Sequence, residues 1–344
     1  MTQPVRLAIN GYGRIGRCIV RALHELQLSD VIRVVVINEP ADLDSLVYLT
    51  RFDSTHGVFP GLVEKDENGL IIDGQAITVL HRDTPEAVDW HGMAVDMVLE
   101  CSGQYSTRSA LQRFIDAGCA RVLLSHPGAG ADDVDRTVAY GVNHTSIEPT
   151  DQIVSAASCT TNAIVPLLSV LEEKYGVDHA FLTTLHSVMN DQPMIDGYHH
   201  ADLRRTRSAM QSIIPVATGL AQGIERFLPC LTGKVQAKAI RVPILNVSAI
   251  DMMLRLRTSA STHELNQFIA DCADRMPGLL AYSNQPHASV DFNHDAHSAI
   301  VDGSQTRTTS DGFANLFVWF DNEWGFANRM LDVARYWAGA DSNT

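Results

Sequence analysis

Residues 10–17 read NGYGRIGR and lie between two regular patterns of this 344-residue chain. Before them, Val5–Asn10 is a short apolar run of the kind that forms a buried parallel strand. After them, apolar residues between Ile15 and Leu26 recur at spacings of three and four, which indicates an amphipathic helix. A second apolar run follows at Val31–Asn38. The sequence therefore predicts a β-α-β unit with a glycine-rich turn.

The glycines of this turn, Gly11, Gly13 and Gly16, form the pattern G-x-G-x-x-G. In a β-α-β unit the first permits a tight turn, the second lets the backbone approach a pyrophosphate, and the third lets helix and strand pack closely. Glu39 ends the second strand, where its carboxylate would bind ribose hydroxyls and repel a 2′-phosphate. We therefore predict a dinucleotide site that takes NAD rather than NADP.

Alternating strand and helix patterns continue to about residue 155 and predict a doubly wound α/β sheet. The predicted elements are strands at 94–101, 121–125, 138–142 and 153–155 and a helix at 108–117. Beyond Ser155 a helix and then long apolar strands predict an α+β domain with a mostly antiparallel sheet. These elements are a helix at 162–175, strands at 179–186, 234–242 and 248–256, and a final helix at 328–338.

The composition is that of a folded, acidic chain. Hydrophobic residues make up 45 % of it and charged residues 19 %, which provides a large core and excludes extensive disorder. With 26 basic and 40 acidic residues, the formal net charge is -14. This charge disfavours the phosphate backbone of nucleic acids and the surface of anionic membranes. We therefore expect neither a nucleic-acid partner nor a membrane partner.

The 6 cysteines form no Cys-x-x-Cys pair, and the sequence contains no apolar signal or membrane-spanning segment. We therefore expect a cytoplasmic protein with reduced thiols. Asp291, His294, Asp295 and His297 do not follow the spacing of a standard zinc site, and no cysteine joins them. We therefore expect no bound metal.

Cys159 lies in the segment SCTTN, residues 158–162, where a strand gives way to a helix. A helix N-terminus favours a thiolate, and a lowered thiol pKa would make Cys159 a nucleophile. Such a nucleophile needs a base, and His186 ends a predicted strand that could return to the same edge of a sheet. A single cysteine is also often a small buried apolar residue, and the chain has 14 histidines, so the pair is a hypothesis.

Three of the four residues 204–207 are arginines, in a long polar segment of an acidic chain. Among them is Arg205, and Arg241 ends a later strand. Guanidinium groups bind phosphate oxygens in bidentate fashion, and the turn Thr218-Gly219 offers a hydroxyl and an amide to the same anion. These residues predict a phosphate subsite. A solvated, salt-bridged loop is the alternative interpretation.

Together these motifs resemble the glyceraldehyde-3-phosphate dehydrogenase superfamily over nearly the whole chain. The resemblance is carried by NGYGRIGR, SCTTN, His186, LRRTR at 203–207 and WFDNEWG at 319–325. It implies a Rossmann NAD-binding domain of residues 1–158, completed by a C-terminal helix at 323–344, and a catalytic domain of residues 159–322. It also implies a homotetramer.

The resemblance further implies a role for each candidate site residue. Cys159 would be the nucleophile and His186 its base. The residues implied to bind NAD are Gly11, Gly13, Arg14, Ile15, Gly16, Glu39, Arg82 and Asn322. The residues implied to bind a phosphorylated aldose substrate are Ser158, Thr160, Arg205, Thr218, Gly219 and Arg241.

Within the superfamily the chain is most similar to the erythrose-4-phosphate dehydrogenase branch. The similarity is carried by SHPG at 125–128, QSIIPV at 211–216 and DFNHDAHSAIVDG at 291–303. It implies oxidation of D-erythrose 4-phosphate to 4-phospho-D-erythronate, with water releasing a thioester, and a product that feeds pyridoxal phosphate biosynthesis. The glycolytic enzymes carry a threonine three residues after the catalytic histidine, where this chain has Met189.

Two alternatives stay open. The first is a phosphorylating glyceraldehyde-3-phosphate dehydrogenase, whose substrate is one hydroxymethylene unit shorter. The second is a non-catalytic NAD-binding protein that uses Cys159 as an oxidation switch. The phosphate-binding candidates Arg205 and Arg241 argue against such a sensor, because it would need no phosphate subsite.

Overall fold

The computed structural model describes residues 3–199 and 201–339, and their contacts divide them into two units. The first unit extends to Ser158 and includes the chain again from Phe326 onward. The second unit is Cys159–Gly325. Among the described residues, no helix combines the length and the apolar character that crossing a bilayer requires.

Before Ser158, the described residues of the first unit form eleven strands and three α-helices. The strands are β1 Val5–Asn10, β2 Ile32–Asn38, β3 Phe52–Asp53, β4 Gly57–Val58, β5 Val63–Lys65, β6 Gly69–Ile72, β7 Gln75–Leu80, β8 Met97–Glu100, β9 Val122–Leu124, β10 Arg136–Thr137 and β11 Ile153–Ser155. The helices are α1 Arg14–Glu25, α2 Leu43–Arg51 and α3 Arg108–Asp116.

Nine of these strands form one sheet in the order β10-β11-β9-β8-β1-β2-β7-β6-β5, and β3 and β4 form a separate hairpin. Strand β1 pairs in parallel with β2 on one side and with β8 on the other. These strands are apolar because they are buried in the middle of the sheet. The predicted Rossmann-type fold is confirmed, and it places the carboxyl ends of β1, β2 and β8 next to the glycine-rich turn.

One predicted strand of this unit, 138–142, is wrong. The strand there is β10, which ends at Thr137, and the chain then turns at Gly141 with a φ of 82°. The Asn143 side chain holds this turn, since it accepts a hydrogen bond from the Ala139 amide and donates one to the Thr137 carbonyl. Val138 and Ala139 are apolar because they are buried in a turn, not because they extend a strand.

The described residues of the second unit form three complete α-helices and eight strands. The helices are α4 Cys159–Tyr175, α5 Leu220–Phe227 and α6 Thr262–Arg275. The strands are β12 Val177–His186, β13 Ile214–Val216, β14 Val235–Arg241, β15 Ser248–Leu256, β16 Leu280–Ser283, β17 Ala299–Asp302, β18 Arg307–Thr308 and β19 Phe313–Phe320.

The strands of the second unit form one sheet in the order β13-β14-β12-β15-β19-β17-β16, with β18 paired to β19. The β12–β14 and β16–β17 pairs are parallel, and the other pairs are antiparallel. The predicted mostly antiparallel sheet is therefore confirmed. Strands β12 and β14 run side by side in the same direction, so His186 and Arg241 are direct neighbours at their carboxyl ends.

The last helix, α7 Trp324–Trp337, begins four residues earlier than predicted. Asp321 accepts hydrogen bonds from the Glu323 and Trp324 amides and so caps the first turn. From Phe326 onward the helix belongs to the first unit. There the Arg121 guanidinium donates to the Trp337 carbonyl at 3.0 Å.

Candidate active site

Cys159 is the first residue of α4, and its partly buried thiol faces His186. The Cys159 Sγ lies 3.8 Å from His186 Nε2 and 3.9 Å from the Thr160 hydroxyl. The structure thus brings together the nucleophile and base that the sequence suggested. Helix α4 also contains Pro166, which has no N–H to donate within the helix.

The backbone of the next residue, Ser187, holds the His186 ring in one orientation. Its Nδ1 lies 2.8 Å from the Ser187 carbonyl oxygen. A carbonyl only accepts hydrogen bonds, so Nδ1 carries a proton and donates it. In the neutral ring Nε2 is then a lone-pair acceptor, and it is this atom that faces the Cys159 thiol. Burial lowers the pKa of His186, which favours the neutral ring.

The expected lowering of the Cys159 pKa is wrong. Burial raises the pKa of this thiol, because a desolvated thiolate is costly. Hydrogen bonds from the Thr160 hydroxyl and from the amides of Thr160 and Cys159 favour the thiolate but do not reverse the shift. The two shifts together favour a neutral thiol and a neutral imidazole over an ion pair.

The candidate phosphate-binding arginines meet on one carboxylate, that of Asp191. Arg241 is buried and reaches both Asp191 oxygens, at 2.5 and 3.2 Å. Arg205 donates to Asp191 Oδ2 at 2.9 Å. Although burial opposes the shift, the Arg241 guanidinium holds the pKa of Asp191 below its usual range. Sequence reasoning missed Asp191, whose only signal is that it is an acid in the same polar segment as the arginines.

The turn Thr218-Gly219 is exposed and leads into α5. Thr218 Oγ1 accepts a hydrogen bond from the Leu220 amide at 3.2 Å. Helix α5 packs against α4, where a Cβ built on Gly223 would lie 3.3 Å from Thr161 Oγ1. This contact places the first turn of α4, which contains Thr160, against α5. Ser158, the last residue of the first unit, directly precedes Cys159.

The glycine-rich turn at residues 10–17, called the nucleotide turn below, has the geometry that its glycines require. Gly11 adopts a φ of 92°, and a Cβ there would lie 2.5 Å from the Ser102 nitrogen. A Cβ on Gly16 would lie 2.6 Å from the Gly11 oxygen, so α1 and the turn touch. A Cβ on Gly13, by contrast, would meet nothing within 4 Å. Arg14 and Ile15 begin α1.

Glu39 and Arg82 lie at the carboxyl ends of β2 and β7. Glu39 accepts hydrogen bonds from the Tyr12 amide at 2.7 Å and the Ala41 amide at 3.3 Å. Each carboxylate oxygen keeps a further lone pair, so the side chain has capacity to bind a hydroxyl. The Arg82 backbone both donates to and accepts from the Asn38 side chain, and the Arg82 side chain is exposed.

Asn38 belongs to a buried polar chain that the sequence did not reveal. Asn38 donates to Asn10 at 2.8 Å, and Asn10 donates to Glu100 at 2.5 Å. Burial raises the pKa of Glu100, whose other oxygen accepts from the Ser102 amide. This chain ties together the carboxyl ends of β2, β1 and β8 beneath the nucleotide turn.

This chain matches the models of two domains that belong to one enzyme family. The glyceraldehyde 3-phosphate dehydrogenase NAD binding domain matches residues 5–108, and the C-terminal domain of the same family matches residues 158–322. The chain belongs to the glyceraldehyde-3-phosphate dehydrogenase superfamily. It is accordingly an NAD-dependent oxidoreductase that acts on an aldehyde, and NAD is its cofactor.

The nucleotide turn of this superfamily member fits NAD. Among the described residues, no side chain caps α1, and no acidic residue lies in its first turn. The positive end of the helix is therefore not neutralised from within, and the open space at Gly13 lets an anion approach it. Glu39 accepts the Tyr12 amide of this turn and keeps lone pairs that could accept ribose hydroxyls.

The last candidate, Asn322, follows β19 in the second unit. Its Oδ1 accepts hydrogen bonds from the Ser187 and Ser248 hydroxyls. Ser187 directly follows His186, so Asn322 is anchored beside the Cys159–His186 pair. Neither serine was found from the sequence, because only the sheet register brings these distant segments together.

Proposed function

We propose that this protein oxidises D-erythrose 4-phosphate to 4-phospho-D-erythronate with NAD, through a covalent bond to Cys159. The observation that carries the proposal is the 3.8 Å approach of the Cys159 thiol to the unprotonated nitrogen of His186. A thiol beside an oriented base is the arrangement that covalent catalysis on a carbonyl requires. The product is of the kind that pyridoxal phosphate biosynthesis consumes in the branch that this chain resembles.

In the first step His186 takes the thiol proton at Nε2 while the sulfur attacks the aldehyde carbon. The proton passes to the aldehyde oxygen, which gives a thiohemiacetal and returns His186 to its neutral form. The Cys159 amide, at the start of α4, helps to hold the oxygen while it carries negative charge.

In the second step His186 takes the hydroxyl proton as hydride leaves the same carbon, and a thioester remains on Cys159. The NAD held at the nucleotide-binding residues would supply the hydride acceptor for this step. After His186 has released its proton to solvent, it takes a proton from the attacking water and passes it to the departing sulfur. The acid is released, and the neutral thiol and imidazole are restored.

Asn322, Glu39, Arg82, and Gly11 to Gly16 are the residues that would hold NAD. The hydride must reach the carbon bound to Cys159, so the nicotinamide must lie beside that residue. Asn322 supports this placement through its bond to Ser187, the neighbour of His186. The uncapped start of α1 would take the pyrophosphate, and Glu39 the adenine ribose.

Arg205 and Arg241 are proposed to bind the substrate phosphate, together with Ser158, Thr160, Thr218 and Gly219. Arg241 is the neighbour of His186 in the sheet, which supports a phosphate site close to the reacting carbon. A phosphate would share both guanidinium groups with Asp191 or replace it. Because the two arginines already converge on one anion, little reorganisation is needed to bind another.

Met189 supports water rather than inorganic phosphate as the acyl acceptor. It lies three residues after His186, and its exposed thioether offers no hydrogen-bond donor. An attacking phosphate would therefore lack one donor that the glycolytic pattern supplies. A phosphorylating glyceraldehyde-3-phosphate dehydrogenase is the second candidate function, favoured by the arginine pair.

We also propose that copies of this chain assemble into a homotetramer. On β12, Ala180 and Leu182 are buried, whereas Phe181 between them is exposed. Its partner on β15, Met253, is exposed on the same face. The long segment after His186 carries further exposed apolar side chains, namely Met194, Ile195, Tyr198, Leu203 and Ile213. Apolar surface of this extent is typical of subunit interfaces.

The proposal is tested with Cys159→Ala, and with Cys230→Ala as the matched control at an exposed cysteine. We expect Cys159→Ala to abolish NADH formation from erythrose 4-phosphate while NAD binding, measured by calorimetry, is kept. Cys230→Ala should keep both. Continued turnover of Cys159→Ala would refute the covalent mechanism.

A further inference from the structure

Three strands of the second unit have ends that meet at the side chain of Asn322. Ser187 directly follows β12, Ser248 begins β15, and Asn322 lies two residues beyond β19. The Ser187 hydroxyl is 3.0 Å and the Ser248 hydroxyl 2.7 Å from Asn322 Oδ1. Both serines are 0 % exposed, whereas Asn322 keeps 9 % of its surface exposed.

The direction of these hydrogen bonds identifies the amide atom that faces the serines. Ser248 Oγ accepts the Ser187 N–H at 3.1 Å, so its own proton is available to donate. The nearest acceptor is on Asn322, and it must be the amide oxygen, because a hydroxyl proton cannot be donated to an NH₂ group. The Asn322 nitrogen then lies on the opposite side, and it makes no hydrogen bond within residues 3–199 and 201–339.

We infer that Ser187 and Ser248 are positioning residues, which hold the Asn322 amide with its N–H groups directed at the nicotinamide carboxamide of NAD. This inference rests on the proposed function, in which Asn322 binds that group. Two buried donors on one oxygen prevent the amide from rotating by half a turn and presenting its oxygen instead. The pair therefore selects the carboxamide oxygen as the atom that Asn322 contacts.

The same contacts link the cofactor to the reacting groups. Ser187 shares a peptide bond with His186, and its carbonyl fixes the imidazole while its hydroxyl fixes Asn322. Ser187 thus orients both His186, the proton acceptor, and Asn322, which would hold the nicotinamide. The relative placement of thiol, base and nicotinamide then depends on a rigid corner of the sheet rather than on a loop.

The experiment compares two ligands that differ only in the nicotinamide. Calorimetry gives the Kd of NAD and of ADP-ribose for the wild type, Ser187→Ala, Ser248→Ala and the double variant. Ser187→Ala is the cleaner single change, because Ser248 also accepts the Ser187 amide and its loss leaves that N–H unpaired. The ratio of the NAD Kd to the ADP-ribose Kd should rise about 3-fold in each single variant and about 10-fold in the double variant, with ADP-ribose itself unchanged.

The matched control is Thr184→Val, which removes a buried hydroxyl from β12, the strand that Ser187 directly follows. The Thr184 hydroxyl is among the buried groups that have no hydrogen-bond partner in the described chain, so this change should leave the ratio untouched. A second probe is the NAD analogue with an acetyl group in place of the carboxamide. It keeps the carbonyl oxygen and lacks the NH₂, so Asn322→Ala should weaken its binding by the same factor as that of NAD.

The outcomes separate this inference from the proposed function. If Asn322→Ala leaves the ratio unchanged, the nicotinamide contact fails and the inference fails with it. If Asn322→Ala raises the ratio but the double serine variant does not, the contact stands and the positioning role is refuted. Equal weakening of NAD and ADP-ribose in the double variant, with a lowered Tm, would also refute it, because the serines would then act only on the fold.

Discussion

The substitution His186→Asn removes the lone pair that faces the Cys159 thiol at 3.8 Å. An amide can accept a hydrogen bond but is too weak a base to take the thiol proton. The variant can therefore attack the aldehyde only through thiol molecules that are already ionised. The size of its defect depends on how few of these there are.

The structure makes that fraction small. The ordinary pKa of the thiol is 9.0, and burial raises it. At pH 7 a thiol of pKa 9 is ionised in about one molecule in a hundred, and a raised pKa lowers the fraction further. We therefore expect aldehyde oxidation at pH 7 to fall by about 10²- to 10⁴-fold, which is the ordinary contribution of a general base.

The assay is the pH dependence of NADH formation and of Cys159 alkylation by iodoacetamide. Burial lowers the pKa of His186 below its ordinary 6.5, so wild-type NADH formation should persist at pH 6.5 and fall only at lower pH, where the ring gains a proton. The rate of His186→Asn should instead rise about tenfold per pH unit towards the thiol pKa. His179→Asn, an exposed histidine on the same strand, is the control.

Two results would refute this reasoning. Wild-type alkylation that is fast and independent of pH between 6 and 8 would mean that a thiolate–imidazolium pair already exists. A variant that oxidises the aldehyde at the wild-type rate at pH 7 would mean that another group takes the proton.

Three further predictions concern other parts of the chain. Gly13→Ala should leave the free energy of unfolding within about 1 kcal/mol of the wild type. It should weaken NAD binding at least tenfold, because the new methyl occupies the open space at the start of α1. Unchanged affinity in calorimetry would place the pyrophosphate elsewhere. Glu100→Gln replaces one of the two acceptor oxygens with an NH₂, which then faces either the Asn10 or the Ser102 donor. The change should cost about 1–3 kcal/mol in urea unfolding, and no loss would mean that the buried chain is not needed. Asp191→Asn leaves the buried Arg241 without its anion. Since the Asp191 side chain is 39 % exposed, the free energy of unfolding should fall by about 2 kcal/mol rather than by the larger cost of a fully buried pair. Added inorganic phosphate should raise the Tm of this variant more than that of the wild type, whereas an equal rise would argue against the arginines as a phosphate site.

Local patterns were sufficient to predict the nucleotide turn and the main strands. Gly11 needs a positive φ and Gly16 touches the Gly11 oxygen, so both requirements arise within the turn itself and their spacing carries the information. Cys159 could be proposed for the same reason, as it lies at a strand-to-helix junction that the pattern reveals. A short apolar run is harder to interpret, because buried residues occur in turns as well as in strands, as residues 138–142 show.

The partners of these groups depend on pairing between distant segments. Asp191 meets Arg241 only because β12 and β14 run side by side, and Ser248 meets Asn322 only because β15 lies between β12 and β19. The prediction of a lowered thiol pKa fails for a related reason. The helix start is visible in the sequence, but the burial of Cys159, which outweighs it, is a property of the folded unit.

The most direct test of the proposed reaction is the initial rate of NADH formation with erythrose 4-phosphate and with glyceraldehyde 3-phosphate, each with and without inorganic phosphate. We predict a higher kcat/KM for erythrose 4-phosphate and no dependence on phosphate, as expected if water releases the thioester. A preference for glyceraldehyde 3-phosphate with strict dependence on phosphate would contradict the account and assign the chain the phosphorylating activity instead.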